Sequence, residues 1–106
     1  MSQAVIPKYK LIMQYDINQA THEVYYQFVI GEFVPTLQGM GLYMLQVYHT
    51  AYGQYPVRQI EFVAENLETI HSAMDSEPFK RVNGKLQGFV SNYSQKIVHF
   101  RDAFQF

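Results

Sequence analysis

The sequence predicts an α+β domain of the ferredoxin-like type, in which helices cover one face of an antiparallel sheet. Three observations carry this prediction. Two strand-like segments, 42–52 and 57–64, are separated by a turn containing Gly and Pro. Segments of helical periodicity flank this hairpin, and one further strand-like segment stands towards each end of the chain. The 106 residues suit one domain, so a single domain spanning 1–106 is expected.

The first half of the chain predicts one strand followed by one long helical segment. Apolar residues alternate along 9–17, as expected for a strand with one buried face. From 22 to 38 they repeat at helical spacing. Pro35 lies inside this helix and has no N–H to donate, so a kink or an early end is expected there. Residues 39–41, Gly-Met-Gly, are expected to end the helix.

The second half predicts the hairpin, two helical stretches and a closing strand. The helical stretches are 67–75 and 76–93, and the closing strand is 95–101. The order strand, helix, strand, strand, helix, strand, with right-handed crossovers, gives an antiparallel βαββαβ sandwich. The expected sheet order is 4-1-3-2, with both helical layers on one face.

The face of the sheet away from the helices is expected to be largely polar. It is predicted to carry Gln14, Asp16, Gln59, Glu61, His99 and Arg101. The segment 42–52 is different, because large side chains occur at both alternating sets of positions: Leu42, Met44, Tyr48 and Tyr52 on one face, and Tyr43, Leu45, Val47 and His49 on the other. A sheet covered on one side needs only one apolar face, so the second indicates a partner or a ligand. This strand is also an edge, and an apolar edge invites association unless it is covered.

Composition disfavours several classes of function. The net charge of −1 and the scattered basic residues argue against a nucleic-acid platform. No apolar run is long enough to span a membrane, and the first residues do not resemble a signal peptide. The absence of cysteine excludes disulfides and thiolate chemistry. A cytoplasmic protein without membrane or nucleic-acid partners is therefore expected.

Three segments resemble the dimeric α/β-barrel superfamily, which includes antibiotic-biosynthesis monooxygenase-like, EthD-like and NIPSNAP-like proteins. They are the opening strand YKLIMQYDI (9–17), the stretch QIEFVAENLE (59–68) and the helix restart MDSEPF (74–79). The resemblance implies a homodimer, formed through the open sheet face and strand 42–52, in which two sheets pack as a barrel around a cavity. It does not imply one activity, because this fold hosts oxygenases, isomerases, haem degraders and proteins of no known activity. The Asn and Trp of some cofactor-free quinol monooxygenases have no clear match here, and Trp is absent.

The first candidate site is the polar group Gln14, Asp16, Gln59, Glu61 and His99. If these side chains share one sheet face, they lie close enough to line a common pocket. A carboxylate enclosed there would have a raised pKa and could act as a base, so Asp16 or His99 is the catalytic candidate. The alternatives are a polar ligand pocket without catalysis and an ordinary solvated or interface face.

The second candidate site adjoins the hairpin. His49 with Tyr48 and Tyr52 could hold a ligand, and Arg58 could bind a carboxylate or phenolate. The alternative is that these residues contact a partner subunit. No two of the four histidines have the spacing of metal ligands, so neither a metal nor a cofactor is expected.

The predicted function is therefore the binding of a small hydrophobic or aromatic metabolite, with or without its cofactor-free conversion. A non-catalytic homodimer is the principal alternative, and a haem-handling protein is a third.

Overall fold

The computed structural model describes residues 6–50 and 57–100. The strands are β1 (Tyr9–Ile17), β2 (Tyr43–Thr50), β3 (Val57–Ala64) and β4 (Val90–His99). The helices are α1 (His22–Phe28), α2 (Val34–Gln38), α3 (Leu67–Met74) and α4 (Glu77–Gln87), with a 3-10 turn at Gln19–Thr21. No helix in these described ranges is long and apolar enough to cross a membrane.

The four strands form one antiparallel sheet in the order β2-β3-β1-β4. Read from the other edge, this is the predicted order 4-1-3-2, so the predicted ferredoxin-like α+β fold is confirmed. β1 and β3 pair without interruption from Tyr9 opposite Ala64 to Asp16 opposite Val57. The register fixes which side chains share each face of the two central strands.

The hydrophobic core lies between one sheet face and the helices. Alternating β1 residues Leu11, Met13 and Tyr15 are at most 1% exposed. β3 contributes Ile60, Phe62 and Ala64 to the same layer, which completes the predicted apolar faces of both strands. The helices contribute Tyr25, Phe33, Leu37, Ile70, Phe79, Val82 and Leu86, among others. We call the opposite side of the sheet, which none of the described helices covers, the open face.

Pro35 does not end the first helical segment. A π-helical turn at Val29–Phe33 joins α1 to α2, and Val34 N–H donates to the carbonyl of Val29 five residues earlier. This wider turn gives the ring of Pro35 room beside the preceding turn, where it would otherwise crowd a carbonyl. The segment ends at Gln38, as predicted, and Gly41 follows with a φ of 88°, which suits glycine.

The C-terminal part of the chain departs most from the sequence prediction. α4 ends at Gln87 and β4 begins at Val90, whereas the helical pattern extends to Tyr93 and the strand was expected only from Gln95. Phe89, Val90 and Tyr93 instead pack against the core from the start of the strand. Pairing with β1 therefore overrides the local helical spacing.

Two irregularities alter the alternation of side chains in the outer strands. Register shifts occur in β4 opposite Gln14 and Asp16, where Asn92 has a φ of 55°, and in β2 between Met44 and Gln46. The β2 bulge at Leu45 places Met44 and Val47 on the helix side and Tyr43 and Gln46 on the open face. The predicted alternation, in which Tyr43, Leu45 and Val47 share a face, is therefore wrong.

Candidate functional site

A connected polar network occupies the centre of the open face, around Glu61. Lys10 Nζ lies 3.0 Å from Glu61 Oε1, and Gln46 Nε2 donates to the same oxygen at 3.2 Å. Gln59 Nε2 donates to Glu61 Oε2 at 2.6 Å, and Gln59 Oε1 accepts from Gln14 Nε2 at 2.5 Å. The structure thus brings together three predicted site residues, Gln14, Gln59 and Glu61, and adds two that the sequence did not single out.

Glu61 is the only charged residue among the described ones that is buried, with an exposed fraction of 4%. Burial alone would raise its pKa, but the hydrogen bonds from Lys10, Gln46 and Gln59 outweigh it and hold the pKa below its usual range. The carboxylate therefore stays ionised near neutral pH with both oxygens engaged. This arrangement suits a structural anchor and not a general base, which needs a pKa near the working pH.

Asp16 and His99 do not share a site. Asp16 lies one step beyond Gln14 on the open face, where it accepts a hydrogen bond from Asn92 Nδ2 at 2.7 Å. His99 is paired with Tyr9 at the other end of β1, and the two rings lie 4.9 Å apart. Seven residues of strand separate Tyr9 from Asp16, about 23 Å.

The predicted position of His99 on the open face is therefore wrong. Tyr9 belongs to the core-facing set of β1, and directly paired residues share a face, so His99 lies on the helix side. It lines a shallow pocket there with His71 and Leu67. The prediction interchanges the two faces of this strand. β4 pairs Ile97 with Leu11 and His99 with Tyr9, so both lie on the helix side.

The hairpin candidates are only partly placed. The backbones of Tyr48 and His49 pair with Gln59 and Arg58, respectively, in the sheet. Their side chains and the whole of Tyr52 lie outside the described residues, so their predicted ligand-binding role stays a prediction.

A separate apolar pocket lies on the helix side, beside the edge strand β2. Its volume is about 310 Å³. Its lining residues come from the first helical segment and from β2 and β3: Tyr25, Tyr26, Val29, Ile30, Val34, Met44, Val47, Arg58 and Ile60. We call this space the helix-side pocket. Its size falls at the lower end for small-molecule sites, and its apolar walls with one charged group fit their usual chemistry.

Arg58 supplies the charge in the helix-side pocket. Its guanidinium carbon lies 4.9 Å from the centre of the Tyr26 ring and 5.9 Å from that of Tyr25. Nη2 donates to the hydroxyl of Tyr26, while the buried Nε has no hydrogen-bond partner among the described residues. The two rings hold the guanidinium in place through cation–π contact and leave a donor free.

A buried tyrosine pair stands next to Arg58. The hydroxyls of Tyr15 and Tyr25 lie 2.5 Å apart, and burial raises the pKa of each phenol. Burial also raises the pKa of Tyr93, which stacks on Tyr15, to about 12. These phenols therefore keep their protons at neutral pH and act as hydrogen-bond donors, not as bases.

Sequence reasoning did not find Tyr25 and Tyr26 as site residues. It assigned Tyr25 to an apolar helical stripe, and nothing in the local pattern links either residue to an arginine 32 positions beyond Tyr26. A pair of adjacent tyrosines in a helix is the only local signal, and core packing accounts for it equally well. Within the described part of the chain, no group of three or more His, Asp or Glu side chains is arranged to hold a metal.

The comparisons with known proteins rest on structure. No protein-family model matches the sequence, and no curated protein matches it. An antibiotic biosynthesis monooxygenase-like protein from Deinococcus radiodurans has a TM-score of 0.72 at 11% identity, over 92% of this chain and 97% of that one. An EthD family protein from Bacillus halodurans has a TM-score of 0.69 at 15% identity, over 89% and 99%.

A NIPSNAP domain protein from Burkholderia xenovorans is similar over 92% of this chain and 97% of its own, with a TM-score of 0.68 at 6% identity. Identities this low establish the fold and not the activity. The chain therefore has the ferredoxin-like α+β fold that NIPSNAP, EthD and antibiotic biosynthesis monooxygenase-like proteins share, as the sequence resemblance predicted.

Proposed function

We propose that this protein binds a small hydrophobic or aromatic molecule in the helix-side pocket, and that it does so as a homodimer joined through the open sheet face. The observation that carries the binding proposal is the pocket itself, which combines apolar walls with a single cation. Its lining includes buried residues such as Tyr25, Val29 and Ile60.

The chemistry of the described residues favours binding over proton abstraction. Glu61 is ionised and saturated with hydrogen bonds on the other face of the sheet. The phenols of Tyr15 and Tyr25 are protonated at neutral pH, and burial raises their pKa values further from the range of a general base. Cofactor-free conversion by Asp16 and His99 acting together is not part of the proposal, because the two residues lie on opposite faces of the sheet.

The homodimer is supported by the shape and composition of the open face. Four strands of eight to ten residues make a surface of roughly 19 Å by 30 Å, of the same order as the share of one partner in a standard interface. Ile12, Tyr43 and Val63 surround the Glu61 network on this face. A non-catalytic homodimer is the second candidate function, and the central position of that network favours it.

Filling the helix-side pocket is expected to abolish binding. Val47→Phe places a larger side chain in the pocket from β2, where an aromatic residue is compatible with the strand. The probes are 2-naphthoate and its neutral analogue 2-naphthamide. With the unmodified chain, at least one of them should raise the melting temperature, because a ligand that binds only the folded state stabilises it.

The matched control is Val24→Phe, at a half-exposed valine on α1 that does not line this pocket. Val47→Phe should weaken probe binding by at least about tenfold in calorimetry, and Val24→Phe should leave it unchanged. The binding proposal is wrong if neither probe binds the unmodified chain, or if Val47→Phe folds and binds as tightly as the parent.

A further inference from the structure

We infer that the ligand of the helix-side pocket is a small apolar carboxylate whose anionic end binds Arg58. This inference rests on the proposed function and names the chemical class of the molecule bound there. Arg58 gives the pocket one positively charged end, and the rest of the wall is apolar.

Arg58 has hydrogen-bond donors that the described residues do not use. A guanidinium has five N–H donors in a fixed plane. One donates to the hydroxyl of Tyr26, and the buried Nε has no acceptor among the described residues. A buried donor without an acceptor is costly, and an oxygen of a bound ligand would relieve that cost.

Arg58 has no ion-pair partner among the described residues. Within the described ranges, the ion pairs join Glu61 to Lys10 and Glu32 to Arg81 and Lys85, and none includes Arg58. Tyr26 and Tyr25 offer ring faces and a neutral hydroxyl, which attract a cation without neutralising it. An anion entering this pocket would therefore meet a positive charge that no described carboxylate shares.

The Tyr15–Tyr25 pair has one hydroxyl proton more than the hydrogen bond between the two residues uses. Two hydroxyls carry two protons, and one hydrogen bond between them uses only one. The second proton has no acceptor among the described residues, and it belongs to Tyr25, which lines the pocket, when Tyr15 is the donor of the pair. A carboxylate can accept from both a guanidinium and a phenol, whereas a neutral hydrocarbon can accept from neither.

The body of the pocket determines the rest of the ligand. Val29, Ile30, Val34, Met44 and Ile60 present only hydrocarbon and thioether surface. A volume of about 310 Å³ limits the ligand to a few rings or a short chain. The class is thus an aromatic or aliphatic monocarboxylate, and not a phosphate ester or a sugar acid, whose many polar groups would lack partners against these walls.

The test compares 2-naphthoate with 2-naphthamide by isothermal titration calorimetry on the full chain. The two probes share shape and differ in charge. We expect the carboxylate to bind at least about tenfold more tightly, since hydrogen bonds between charged groups are stronger than neutral ones. A ratio within about twofold would overturn the inference while leaving the binding proposal intact. Failure of both probes to bind would refute the two together.

Three variants test whether Arg58 causes the preference for 2-naphthoate over 2-naphthamide. Arg58→Met removes the charge and keeps most of the apolar stem, so the preference for 2-naphthoate should disappear. Arg58→Lys should retain part of it, because the charge remains but the planar fork is lost. Arg81→Met is the matched control, since Arg81 lies at an exposed ion pair with Glu32, and it should retain the full preference.

Circular dichroism would verify that each variant is folded. If Arg58→Met does not fold, the comparison of the two probes on the unmodified chain and on Arg58→Lys decides the question. Retention of the full preference in a folded Arg58→Met would contradict the role given to Arg58.

Discussion

Replacing Glu61 with alanine is expected to lower the free energy of unfolding by about 2–3 kcal/mol. This is the usual cost of losing a buried, charged hydrogen-bond acceptor. Glu61 accepts hydrogen bonds from Lys10, Gln46 and Gln59, and alanine would leave all three donors without their acceptor. Urea unfolding followed by circular dichroism would measure the change. The control is Glu65→Ala, at an exposed carboxylate just after β3, which should change the stability by no more than about 0.5 kcal/mol.

The pH dependence provides an independent check on the same residue. The pKa of Glu61 is lower in the folded chain than its usual value of 4.5, so its ionised form stabilises the fold above that pH. This contribution is lost as the pH falls below 4.5 and through the folded-state pKa. Glu61→Gln should therefore lose less stability between pH 6 and pH 3 than the parent chain does. Identical acid profiles for the two chains would contradict the role given to this carboxylate.

Substituting Tyr43 with lysine is expected to convert a dimer into a monomer. Tyr43 lies on the open face opposite Val63 and is 37% exposed in the single chain, so a dimer through this face would bury it. Two-fold symmetry would bury the new charge twice, which should raise the dissociation constant by about a hundredfold or more. Sedimentation equilibrium at micromolar concentration would measure both chains, with Val24→Lys on α1 as the control.

A parent chain that sediments as a monomer would refute the homodimer proposal. It would not affect the binding proposal, because the helix-side pocket lies on the other side of the sheet from the open face. The two parts of the proposed function are therefore separately testable.

The central strands were predictable because their side chains alternate with the strand period. Leu11 and Met13 on β1, with Ile60 and Phe62 on β3, are buried as the pattern requires. The element order then fixed the sheet order through the handedness of the crossovers. These features depend mainly on local periodicity, which a single sequence shows directly. They depend little on long-range strand pairing.

The outer strands were not predictable to the same degree. The spacing of Phe89, Val90 and Tyr93 satisfies a helix, yet pairing with β1 makes them part of the strand region. The bulge at Leu45 adds a residue that no period-two pattern reveals. Each irregularity exchanges the two faces locally. His99 was assigned to the wrong side for a different reason: apolar residues occur on both faces of its strand, at Ile97 and at Val98, so the pattern does not show which face is buried.

Single residues of the candidate site were predicted from the sequence, but not the neighbours that surround them. The sequence suggested an anion-binding role for Arg58 but placed it at the lip of a pocket near the hairpin turn. In the structure its neighbours are Tyr25 and Tyr26 of α1, a segment whose contact with β3 is set by tertiary packing. The polar network around Glu61 was anticipated in part, because Gln14, Gln59 and Glu61 alternate in register, whereas the contributions of Lys10 and Gln46 depend on side-chain reach and on the bulge.

Methyl NMR with added 2-naphthoate tests the location of the ligand most directly. The chain offers methyl groups in both candidate places: Ile30, Val34 and Val47 line the helix-side pocket, and Ile12, Val63 and Val98 lie on the open face. We expect chemical-shift changes and contacts to the naphthalene ring at the first three residues and none at the other three. Changes confined to the open face, or no saturable change at any of these methyl groups, would contradict binding in the helix-side pocket.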